Sequence, residues 1–141
     1  MKAQPTVLVC VTPQETSGKL VEAGRILAAK NNAALEVISV LPISANFSKH
    51  EPQTLEKLFG FAKEAGGEMA VYFSDDPVLT VAAHVARQKP ILFVTGFPGE
   101  NSNGFVSLLH SLLPEIPVSM VSQDDTIYNM LPLSHDILSA R

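Results

Sequence analysis

Residues 94–107, VTGFPGENSNGFVS, leave an apolar run, pass Gly96, Gly99 and Gly104, and enter a helical pattern. Glycines at such a junction let backbone amides approach a ligand closely, and the amides at a helix start carry the positive end of its dipole. The chemistry on offer is the cradling of phosphate. The same glycines also serve a tight strand-to-helix turn that holds no ligand. No lysine or arginine occurs between Lys89 and Arg141, and Glu100 adds a negative charge inside the loop. Phosphate held there would rely on backbone amides and a bound metal ion.

Other reactive residue types are scattered along the chain. Thr16, Ser17 and Lys19 open an earlier helical pattern, where a cap from Thr16 or Ser17 is the simpler role and contact with a ligand phosphate the alternative. Asp75 and Asp76 precede Pro77 and read as a helix cap rather than an acid pair. His50, His84, His110 and His135 lie too far apart in sequence to form the paired spacing of a metal set. His84 and His110 fall on polar helical stripes and are expected at the solvated surface. Cys10 is mid-strand and reads as an inert core thiol. A GxGxxG turn, a Walker lysine and a GxSxG elbow are all missing, so no nucleophile or general base is placed. The expectation is a binding protein and not an enzyme, with a nucleotide hydrolase as the remaining alternative.

Five short apolar runs must position these residues: 6–11 (TVLVCV), 35–41 (LEVISVL), 69–73 (MAVYF), 91–95 (ILFVT) and 118–122 (VSMVS). The first four are almost continuously apolar, which suits strands covered by helices on both faces. The fifth alternates and begins at Pro117, the pattern of an edge strand. Between them, Leu20, Gly24, Leu27 and Ala28 recur at helical spacing, as do Leu55, Leu58, Phe59 and Ala62. A third helix follows Asp76, with Thr80, His84, Arg87 and Gln88 as its polar stripe. A fourth covers residues 105–113, with Val106, Leu109 and Leu113 inward.

Parallel returns need helical crossovers, so this order predicts an α/β fold: one Rossmann-like three-layer α/β/α domain over residues 1–122 with a five-stranded parallel sheet. Residues 123–141 read as a tail in which LSHDILSAR forms a short helix capped at Ser134. Ligands enter such sheets at the carboxyl ends of the strands where the winding reverses, so the turns after Val11 and Thr95 are expected at one rim.

A length of 141 residues, 46% of them hydrophobic, matches one domain with a single sizeable core. The single cysteine rules out a disulfide framework or a CxxC pair. MKAQPT has no apolar leader region, and no run approaches the roughly 18 apolar residues of a membrane span. The expected setting is soluble and cytoplasmic. Residues 1–89 carry nine basic and nine acidic side chains, so the net charge of −4 belongs to residues 90–141, where five acidic groups face Arg141 alone. Without a basic cluster the chain is not expected to bind nucleic acid.

The opening VLVCVTPQETSGKLVEAGRILAAKNNAALEVISVL resembles the first βαβ unit of the universal stress protein family. VLVCVTP, with Pro13, is most similar to the domain of that type in potassium-sensing histidine kinases of the KdpD kind. Gly96 and Gly99 fall where the family has its G-x-x-G, and GFVS at 104–107 takes the place of its glycine-serine helix start. The resemblance spans roughly residues 5–122. It implies a regulatory, signalling domain that binds ATP, another adenine nucleotide or a cyclic dinucleotide, with Thr12, Pro13, Val40, Gly96, Gly99, Gly104 and Ser107 around the pocket. The chain departs from the family at three places. Only Glu100, Asn101, Ser102 and Asn103 separate Gly99 from Gly104, Phe105 stands at the family's hydroxyl position, and Thr12 stands where the family has an acidic residue. The alternative is a ligand-free interaction module of the same fold, a homodimer through the fifth-strand edge, which is the family's common seam.

Overall fold

The computed structural model describes residues 4–12, 17–43, 52–98 and 104–132. Among them the chain runs β1 (Thr6–Cys10), α1 (Ser17–Lys30), β2 (Ala34–Leu41), α2 (Pro52–Glu64), β3 (Glu68–Phe73), α3 (Pro77–Gln88), β4 (Leu92–Gly96), α4 (Phe105–Leu112), β5 (Val118–Val121) and β6 (Ile127–Met130). The sheet order is β3-β2-β1-β4-β5-β6. Strands β1 to β5 pair in parallel, and β6 pairs antiparallel with β5.

The continuous apolar runs are explained by burial on both faces. Val7, Val9, Val11, Leu35 and Val37 pack with Val21 and Ala28 of α1 and with Leu58 and Ala62 of α2. Leu8, Ile38 and Phe93 pack on the opposite face with Val81 and Val85 of α3 and with Val106 and Leu109 of α4. Alternate residues of one strand thus serve two cores. Gly24 lets α1 lie close against the sheet, because a Cβ added there would overlap Val9 Cγ2. Helix α3 starts as its sequence predicts: Asp76 Oδ1 accepts from Leu79 N at 3.1 Å, and Pro77 occupies the first turn.

The sixth strand corrects the expected topology. Residues 123–130 are not a simple tail: Ser122 N donates to Thr126 O at 2.9 Å, closing a short hairpin in which Asp125 adopts a left-handed φ of 69°. A three-residue loop ending in an αL residue is a standard hairpin connection, and aspartate tolerates that conformation better than most side chains. Strand β5 is therefore interior, with all four residues buried. Ser119, a polar member of that alternating run, is 3% exposed and donates from Oγ to Asn129 Oδ1 at 2.6 Å. The β5 edge expected to pair with a second copy is already hydrogen-bonded to β6. The short helix expected around Ser134 lies outside the described residues. In α2, Phe59 is 46% exposed where the spacing placed it inward, and Phe61 packs against the core instead.

Candidate functional site

From β1 the chain winds outward through β2 and β3, then crosses back to place β4 on the other side of β1. Helices leaving two such strands depart on opposite faces, so a crevice opens at their carboxyl ends. A cleft of about 290 Å³ occupies that position. Cys10 and Thr12 enter it from the end of β1, Thr95, Gly96 and Phe97 from the end of β4, and Val121, Ser122 and Gln123 from the end of β5 and the turn beyond. Lys19 and Leu20 close it from the first turn of α1. The turns after Val11 and Thr95 do meet at one rim.

Three hydroxyl-bearing side chains, Thr12, Thr95 and Ser122, give the cleft polar lining over an apolar base. Thr95 is 8% exposed. Cys10 keeps some exposure as a residue, yet burial of its sulfur pushes the thiol up to about 12, so it stays neutral at ordinary pH. A Cβ added at Gly96 would meet only Leu20 Cδ1, at an ordinary 3.7 Å, so glycine there keeps space open and is not required by packing. Phe97 lies against Tyr128 of β6, ring centroids 4.5 Å apart.

Lys19 is the only charged side chain among the described residues that line the cleft. Its Nζ donates to Gln123 O at 2.5 Å and lies 3.0 Å from Asp125 Oδ1. A cation therefore reaches the site from α1, although none is available in the glycine loop. The adjacent Asp124 carboxylate accepts from Thr126 N at 3.1 Å and from Ser122 Oγ. Those hydrogen bonds hold its carboxyl down at about 2.

Of the residues expected around the pocket, Thr12 and Gly96 line the cleft. Val40 sits on β2 and packs against the core on the α3 and α4 side. Gly104 caps α4 with a left-handed φ of 78°, a conformation suited to glycine, and Ser107 is exposed one turn into that helix; neither lines the cleft. Pro13 and Gly99 lie outside the described residues. Ser122 and Gln123 are additions whose sequence signal was the turn SQDDT. No group of three or more His, Cys, Asp or Glu able to hold a metal ion occurs among the described residues.

A second polar cluster lies on the sheet face under α3. His84, expected at the surface, is 3% exposed. Its Nδ1 is 2.9 Å from Tyr72 Oη, and its Nε2 is 2.9 Å from Glu36 Oε1. Arg87 Nη2 donates to Tyr72 Oη at 2.9 Å. As a carboxylate Glu36 can only accept, so His84 Nε2 carries the hydrogen between them. Two rows of the sheet and one helix are thereby joined through one imidazole.

No protein-family model matches the sequence, and no curated protein matches it. Solved structures do resemble the fold. A universal stress protein in complex with cAMP superposes with a TM-score of 0.64 at 21% identity, covering 86% of this chain and 98% of the other. One from Archaeoglobus fulgidus in complex with dAMP gives 0.59 at 14% identity, over 84% and 97% of the two chains. Lactobacillus plantarum UspA gives 0.61 at 15%, over 80% and 95%. The fold is that of the universal stress proteins. In this chain the β5–β6 turn forms one wall of the cleft and carries Lys19's acidic partner. Among the described residues no helix is long and apolar enough to cross a membrane.

Proposed function

We propose that this chain is a regulatory domain of the universal stress type that binds an adenine nucleotide in the cleft between β1 and β4. The observation that carries this reading is position: Thr12, Thr95, Gly96 and Ser122 converge on a crevice at the point where the strand order reverses. That proteins of the same fold have been solved with cAMP and with dAMP supports it. The domain acts by binding and not by turnover. In support, the cleft's thiol is held neutral and its lysine is engaged by Asp125, which leaves neither as an activated nucleophile. The opening VLVCVTP supports a finer placing with the domain of KdpD-type sensor kinases, and a cytoplasmic setting accords with the single buried thiol.

The test is thermal unfolding with adenosine, AMP, cyclic AMP, ADP and ATP. Ligand at a hundredfold excess over Kd stabilises the folded state by about 2.7 kcal/mol, a rise of several degrees in Tm. Gly96→Leu, which fills the cleft from β4, abolishes that rise while leaving the far-ultraviolet circular dichroism unchanged. No rise with any of the five compounds contradicts the reading.

A further inference from the structure

We propose that Lys19 selects the phosphate and that its bridge to Asp125 limits the ligand to one phosphate, making the preferred class a nucleoside monophosphate, linear or cyclic. This rests on the cleft being the nucleotide site. An ammonium has three N–H donors. Gln123 O and Asp125 Oδ1 engage two of them in the observed geometry, which leaves one for a ligand oxygen.

Further phosphates would meet a lip of the wrong sign. Asp124 and Asp125 occupy the turn that forms the wall, against the single ammonium of Lys19. The hydroxyl and amide bonds from Ser122 and Thr126 keep Asp124 charged at neutral pH. Each added phosphate brings more negative charge toward that turn, with no second cation among the described lining residues to receive it. Size acts in the same direction: about 290 Å³ lies just below the range of about 300–1,000 Å³ typical of ligand sites.

The turn is built to keep Asp125 in place. Asp125 N donates to Ser122 O at 3.1 Å, its backbone is left-handed, and its carboxylate meets Lys19 of α1 at 3.0 Å. Asparagine tolerates the same backbone region, so Asp125→Asn removes the charge without disturbing the hairpin. Lys19→Gln keeps a donor for Gln123 O but removes the cation.

Calorimetric titration of the full chain with adenosine, AMP, ADP and ATP, without divalent metal, separates the cases. In the unsubstituted chain AMP binds more tightly than adenosine and more tightly than ATP. Lys19→Gln erases the advantage of AMP over adenosine. Asp125→Asn strengthens AMP by about two- to fivefold, the scale of one exposed ion pair, and strengthens ATP by more. ATP binding tighter than AMP, or an unchanged AMP-to-adenosine ratio in Lys19→Gln, overturns the inference and leaves the nucleotide site standing. Failure of all four compounds to bind the unsubstituted chain overturns both. Circular dichroism and Tm of each variant confirm that a lost preference is not lost folding.

Discussion

Replacing His84 with alanine removes the imidazole that joins Glu36 to Tyr72. The side chain is 3% exposed, and Glu36 is only 16% exposed, so water cannot fully replace the lost partner. The bond to the carboxylate is worth about 1.5–3 kcal/mol and the bond to the tyrosine hydroxyl about 0.5–1.5 kcal/mol. Tyr72 keeps Arg87 as a donor, which limits the loss on that side. Removal of the ring also leaves a void under α3, and the edge-to-face contact with Tyr72, at 5.6 Å between centroids, goes with it. The sum is a destabilisation of about 3 kcal/mol. Urea unfolding followed by circular dichroism reads it directly: with a slope of about 2 kcal/mol/M, the midpoint falls by about 1.5 M. Glu36→Ala in the same background then costs less than it does alone, because the two side chains share one interaction, and the coupling falls within about 0.5–3 kcal/mol. A His84→Ala midpoint within about 0.25 M of the unsubstituted protein, equivalent to about 0.5 kcal/mol at that slope, would refute the reasoning, since that is how a solvated histidine behaves.

Three other substitutions test the packing and the cleft floor. Gly24→Ala forces a methyl into Val9, itself 0% exposed, and overpacking of about 1–3 kcal/mol exceeds the helix-propensity gain of about 1 kcal/mol; Gly60→Ala, with nothing within 4 Å of the added carbon, gains about 0.5–1 kcal/mol instead. Opposite signs in Tm are expected, and equal shifts contradict the close approach of α1 to β1. Cys10, its thiol raised from 9.0 to about 12, stabilises the fold fully below pH 9 and loses that contribution as pH rises from 9 toward 12. Relative to Cys10→Ala the protein therefore loses stability across that window. At pH 8 the native thiol reacts far more slowly with an alkylating reagent than the urea-unfolded one; equal rates contradict its burial.

The strands that build the cleft were legible in the sequence because a strand buried on both faces leaves a nearly continuous apolar run, and each of the five observed runs begins or ends within one residue of expectation. The meeting of the turns after Val11 and Thr95 followed from the parallel order alone. What escaped depends on distant partners. On α3, Leu79 is 59% exposed and His84 is buried, the reverse of their hydropathy. The reason lies on β2 and β3, where Glu36 and Tyr72 supply the bonds that make a buried imidazole affordable. Strand β6 has four residues, mostly exposed, and so lacks the apolar weight of a core strand; its signal was the turn SQDDT, with Asp125 in the left-handed region. Without β6, the alternation of β5 and the proline before it carry the pattern of an edge strand. Lys19 was visible only as a helix-start residue, since its pairing with Asp125 joins positions more than a hundred residues apart.

The most direct measurement is an amide nitrogen–proton correlation spectrum of the full chain titrated with AMP. Saturable shifts are predicted at Thr12, Lys19, Gly96 and Ser122, the residues that bring β1, α1, β4 and β5 to the cleft. An unshifted spectrum, or shifts confined to the groove between α1 and α2 around Arg25 and Phe61, would contradict a nucleotide site where the strand order reverses.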